Sequence, residues 1–164
     1  MKNILISMCV LSCFCMAQFE AGTKSFGGGF TYASVKACAD CDSESTMSLA
    51  PEVSYYAMDN VGLSFMLDYS KSGDADAVTS FGLGGTYHMG QMYGAASYMS
   101  MGTGIEDVGP LTFLNFRAGY LHPLSDNFYL DLFGSYTMGM GEVMEGVDNE
   151  STTMTFGAGF RTTF

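Results

Sequence analysis

An all-β fold, an eight-stranded antiparallel up-and-down transmembrane β-barrel, is predicted by three features of this 164-residue sequence. Apolar and small polar residues alternate with period two along most of the chain. The small-residue face is too polar to form a soluble core, so the apolar face has to meet lipid. Short and long connections alternate between the strands, as barrels with short periplasmic turns and longer extracellular loops require. Composition agrees: 21 Gly, 13 Phe and 10 Tyr stand against only 3 Pro, and no segment carries a sustained 3.6-residue apolar period.

Each strand can be justified in turn. The first, over 24–34, sets Phe26, Gly28, Phe30 and Tyr32 against Gly27, Gly29 and Thr31. The second, 46–57, alternates Met47, Leu49, Val53 and Tyr55 with Ser48, Glu52 and Ser54. The third, 61–70, is very regular, with Leu63, Phe65 and Leu67 opposite Ser64 and Asp68. The fourth, 78–89, places Phe81, Leu83 and Tyr87 opposite Gly82, Thr86 and His88. The fifth, 92–101, has no clear phase, because Tyr and Met occur on both faces. The sixth, 112–122, puts Leu114 and Phe116 outward with Asn115 and Arg117 inward. The seventh, 128–140, puts Leu130 and Leu132 outward with Tyr129 and Asp131 inward. The eighth begins at Met154 and carries Phe156, Phe160 and Phe164 on one face and Gly157, Gly159 and Arg161 on the other. Tight turns are expected at 58–60, 89–91 and 124–127, and long polar connections at 35–45, 71–77, 102–111 and 141–150.

The N-terminus reads as a secretory signal over 1–17. Lys2 supplies the positive charge, an apolar run follows, and cleavage is expected between Ala17 and Gln18. A loose lipobox over Val10 to Cys13 offers a lipoprotein alternative. Residues 18–22 then form a periplasmic lead-in, and 23–164 the barrel domain. The formal net charge of −11 excludes nucleic-acid binding through phosphates. Eleven of the seventeen acids fall in the four long connections. Carboxylates facing lipopolysaccharide phosphates would repel them unless Ca²⁺ or Mg²⁺ bridged the two, and a simply solvated rim is the competing reading. Cys38 and Cys41 lie in the first long connection. Zinc would want two further Cys or His ligands, and a redox thiol would want a helix N-terminus; an oxidising compartment favours a local disulfide.

The signal, the strand start Phe26-Gly27-Gly28-Gly29-Phe30 and the final strand ending in Phe together resemble the small OmpA/OmpX-type outer-membrane β-barrel proteins of Gram-negative bacteria. The resemblance implies the barrel fold, an outer-membrane location and a monomer. It also implies that Phe156, Phe160 and Phe164 are read by the barrel-assembly machinery. Members of that family differ in activity, so likeness implies no particular function.

The strand phases point Glu52, Asp68, Arg117, Asp131 and Arg161 into the lumen as an expected ion-pair network, with Arg117 and Asp131 facing each other on neighbouring strands. Three carboxylates against two arginines leave one acid over. An eight-stranded barrel is just filled by its side chains, so a salt-bridged plug is expected and a narrow polar path is the alternative. His88 and His122 both lie beside periplasmic turns, and no nucleophile–base–orienter set emerges, so no enzyme activity and no cofactor are expected. The expected role is structural or one of surface interaction through the acidic loops, the alternative a small porin for ions or very small solutes.

Overall fold

Alternating residues build eight long strands because each can put its apolar face outward and its small face inward. The computed structural model describes residues 19–35, 44–73, 76–102, 109–144, 147–149 and 151–164, and only the backbone of 31–35, 44, 142–144 and 147–148. The strands are β1 (Lys24–Val35), β2 (Glu44–Met58), β3 (Val61–Ser72), β4 (Val78–Met89), β5 (Met92–Met101), β6 (Leu111–Ser125) and β7 (Phe128–Met140). A short ribbon, β8 (Glu142–Met144) and β9 (Val147–Asp148), precedes the last long strand, β10 (Thr152–Thr163). All long neighbours are antiparallel, and β1 pairs with β10 to close the barrel. The fold class is therefore as the alternation predicts.

Three local departures have physical causes. The sixth strand does not stop at His122 but runs through Pro123 to Ser125, with a register shift between them. A bulge tolerates a proline whose missing N–H would break a regular ladder. The β2–β3 ladder is likewise interrupted at Ala50 and Pro51, then resumes in the same register. The connection after Gly141 is not wholly irregular, since it contains the β8–β9 ribbon.

The ambiguous phase of β5 is settled by what its side chains find. Tyr93 and Ser97 are buried, whereas Met92 and Tyr98 are exposed. Tyr93 gains an acceptor inside, Asp131, which an outward tyrosine in lipid would lack. Its ring also needs space on the neighbouring strand. Gly119 supplies it: a Cβ there would lie 2.5 Å from the ring.

The outer wall carries Phe26, Phe30, Leu49, Leu63, Phe65, Leu83, Phe116, Phe156 and Phe160, all exposed, with Phe156 at 80%. A continuous apolar wall of this kind is tolerated in lipid and not in water. Inside, Ser25, Ser54, Ser64, Ser80, Thr86 and Ser97 are buried. The buried apolar residues form one small cluster, Phe19, Tyr56, Tyr93, Leu121 and Tyr129, toward the end with the short turns. The closing seam runs from Ser25↔Thr163 to Gly29↔Gly159. At Gly28 the backbone takes φ +152, and a Cβ would lie 2.6 Å from the Ala50 carbonyl oxygen of β2, so β1 packs beside β2 only with glycine there.

These contacts predict a contrast between two glycines on neighbouring strands. Gly119→Ala drives a methyl into the Tyr93 ring and should cost about 1–3 kcal/mol. Gly94→Ala, with no atom within 4 Å of the new Cβ, should stay within about 0.5 kcal/mol. Urea midpoints of the refolded barrel in lipid vesicles measure both, and equal midpoints would contradict the packing described.

Candidate functional site

Four charged side chains meet across the lumen at mid-height, one each from β2, β6, β7 and β10. Period-two alternation points each inward, and the register sets their level. Gly27 of β1 is paired with Glu52 on one side and Arg161 on the other. A Cβ at Gly27 would make ordinary contact with the Cβ and Cγ of Arg161, at 3.5 Å, and would press to 3.0 Å on the Phe160 carbonyl oxygen. Arg161 Nη2 then reaches Glu52 Oε1 at 3.0 Å and Asp131 Oδ2 at 3.5 Å. Arg117 makes the other two contacts, Nη1 to Glu52 Oε2 at 3.1 Å and Nη2 to Asp131 Oδ2 at 2.8 Å. Two cations and two anions thus alternate in a neutral cycle.

The polar neighbours complete this layer. Ser54 Oγ donates to Glu52 Oε1 at 3.2 Å and exchanges a hydrogen bond with Ser64 at 2.8 Å. Tyr93 donates to Asp131 Oδ1 at 2.8 Å, and Ser25 Oγ accepts from Arg161 Nη1 at 3.3 Å. The Arg117 guanidinium carbon stacks 3.7 Å from the centre of the Phe133 ring. Beside Arg117 the free space is about 10 Å³, bordered by Glu52, Ser64, Tyr93, Ser97 and Asn115. That is about the room of a single water.

Of the five lumen residues predicted from sequence, the structure brings together Glu52, Arg117, Asp131 and Arg161. Asp68 does not join them. It is two residues further along β3 than Met66, the partner of Glu52, so it lies closer to the loop end. There, among the described residues, its carboxylate takes long contacts from Ser48 Oγ, at 3.5 Å to Oδ1 and 3.4 Å to Oδ2. His88 is buried but lies nearer the turns, its Nε2 bonded to Tyr56 Oη at 2.9 Å. His122 is exposed on the outer face of β6. Phe156, Phe160 and Phe164 are all exposed, as their alternation requires. Cys38 and Cys41, and the expected cleavage site at Ala17 and Gln18, lie outside the described residues. Among the described residues no group of three or more His, Cys, Asp or Glu is placed to hold a metal.

Sequence reasoning missed two participants. Tyr93 was hidden by the uncertain phase of β5, although a pairing of that strand with Gly119 would have revealed it. Phe19 lies before the first strand, where no periodicity operates, yet its ring is buried at the turn end.

Breaking the cycle should be far more costly than touching its neighbour. Asp131→Ala leaves two buried guanidinium groups short of an anion and should cost about 3–5 kcal/mol. Asp68→Asn keeps shape and hydrogen bonding and should cost about 1 kcal/mol or less. A double-mutant cycle on Arg117 and Asp131, read by chemical unfolding, should show strong coupling; additive effects would mean the pair does not act as one unit.

No family model matches the chain, and no curated protein sequence matches it. Solved structures do. The N-terminal β-barrel domain of Pseudomonas aeruginosa OprF is similar with a TM-score of 0.60 at 16% identity, covering 89% of this chain and 100% of that one. The outer membrane protein OprG of the same organism gives a TM-score of 0.51 at 16% identity, covering 87% of this chain and 96% of that one. With the closed antiparallel cylinder, its apolar exterior and its polar interior side chains, the chain has the fold of the small eight-stranded outer-membrane β-barrels.

Proposed function

We propose that this protein is a closed outer-membrane barrel whose role is exercised at its surface, through the long acidic connections, rather than by passing solutes. The observation that carries this reading is the neutral four-charge cycle of Glu52, Arg117, Asp131 and Arg161, in which every charged group has two opposite partners. A conducting lumen has to offer ions hydrated, incompletely paired groups. Here the cavity beside Arg117 is about 10 Å³, and moving an ion past the cycle would mean parting buried pairs.

With the lumen closed, the chemistry left to the protein is that of its rim. The connections of 35–45, 71–77, 102–111 and 141–150 hold most of the carboxylates of a chain with net charge −11. Such a rim repels anionic lipopolysaccharide directly and attracts it through Ca²⁺ or Mg²⁺, hard cations that carboxylate oxygens bind well. The proposal is therefore envelope support or cell-surface contact, with divalent cations as the bridge to the surrounding lipid.

Two measurements test this. In planar bilayers the refolded wild-type barrel, its insertion verified by protease protection, should give no steady conductance; steady channels would overturn the closed-lumen reading and make the protein a small porin. Association with lipopolysaccharide-containing vesicles should strengthen on adding Mg²⁺ and weaken on chelation, while indifference to the cation would remove the rim from the account.

A further inference from the structure

The turn end of the barrel is occupied by a piece of chain that belongs to no strand. Phe19 inserts its ring into the lumen there and is only 3% exposed. It stacks on Tyr56 at 4.6 Å between ring centres and 15° between planes. His88 lies 4.1 Å away and Tyr129 6.2 Å away, on β4 and β7. The ring therefore touches residues from three strands around the cylinder and spans its mouth.

Its backbone is held by the turn between β2 and β3. Asn60 N–H donates to the Phe19 carbonyl at 2.7 Å, and Asn60 Oδ1 accepts from Phe19 N–H at 3.3 Å. Asp59 Oδ1 accepts from Ala21 N–H at 2.9 Å. Gly22 N–H donates to the Tyr56 carbonyl at 2.8 Å, after which the chain enters β1. Asn60 itself takes φ 63, a conformation asparagine tolerates better than most residues, and so presents both its side chain and its N–H to the segment.

The Thr23 carbonyl accepts from Tyr56 N–H at 2.9 Å, so the chain is paired to β2 from Gly22 onward. Open clefts of about 350 and 330 Å³ flank the segment, one bordered by Phe19, Glu20, Asp59 and Asn60, the other by Phe19, Thr23, Asp126 and Tyr129. We infer that residues 19–21 form a detachable stopper, in which the Phe19 ring seals the turn-side mouth of the lumen and the Asp59–Asn60 turn is its latch. This closure is separate from the ion-paired layer above it. It uses apolar stacking and backbone hydrogen bonds, contributes no charge to the cycle, and can be withdrawn as far as Gly22 and Thr23, whose pairing with Tyr56 of β2 stays in place. Such a device makes the turn side of the lumen accessible or sealed according to the position of the segment alone, so a partner that captures the released N-terminal segment would open that side.

A thiol placed behind the stopper tests the inference. Ser25 is fully buried on the inner face of β1, within reach of Arg161, and Ser25→Cys changes little in volume. With the native cysteines replaced by serine, this variant should react slowly with a small charged methanethiosulfonate reagent. Adding Phe19→Ala should raise the rate by about tenfold or more, because local opening governs access to a buried group. Phe19→Leu, which refills most of the apolar volume, should restore protection. Should Phe19→Ala fail to give the folded, heat-modifiable barrel on gels, Asp59→Ala with Asn60→Gly loosens the latch while leaving the ring and should raise the rate instead. Fast labelling with Phe19 in place would overturn the inference, as would unchanged protection in either folded variant.

Discussion

Every backbone N–H and C=O that enters a bilayer has to be paired within the protein, because lipid offers no partner. For a chain whose short-range pattern is β, that requirement can be met only by a sheet that closes on itself. Pairing of β1 with β10 is thus the constraint on which everything else rests. It explains why Gly159 is needed where β10 meets β1, since a Cβ there would run into the Gly28 carbonyl oxygen, and why the apolar faces of the long strands end up outside. It also explains the polarity of the interior. Once the apolar residues serve as the interface to lipid, only the small and polar half of each strand remains to fill the cylinder.

Filling it is a packing problem with few solutions. Eight strands enclose a space just wide enough for side chains, so each large inner residue needs a small one opposite. Tyr93 is accommodated by Gly119 and the Phe133 ring by Gly157. The charged groups obey the same economy. Replacing a buried ionic cycle by apolar residues is often as stable, so its presence is weak evidence for stability alone. Its geometry, though, ties β2, β6, β7 and β10 together across the lumen, joining strands that are not neighbours in the sheet, such as β2 and β6.

The inner side chains are held by different physics at different heights. The charged layer is held by ion pairs and hydroxyls, which are directional and lose most when one partner is removed. The turn end is held by stacked rings and backbone hydrogen bonds to the turn between β2 and β3. Toward the loop end, among the described residues, Asp68 is met by Ser48 at long range.

Alternation in segments such as Val61–Ser72 was enough to assign strands and faces, because each strand of a one-layer cylinder has one environment on each side and side-chain direction has period two. The pairing of Arg117 with Asp131 was legible for the same reason, since hairpin neighbours share a register set by one turn. Other contacts could not be read locally. Glu52 meets Arg161 only because the first and last strands close, joining residues 109 positions apart. Asp68 drops out of the cycle because its height on β3 is fixed by the ladder to β2, not by its charge. Tyr93 points inward because Gly119 on the next strand leaves room, and Phe19 is buried because a turn formed 41 residues later captures it. Sequence by itself determined fold class and faces, which depend on the local period of the backbone. Only the tertiary structure decided which charges meet and where the Phe19 ring packs, because both depend on segments that are distant in the chain being brought to the same height.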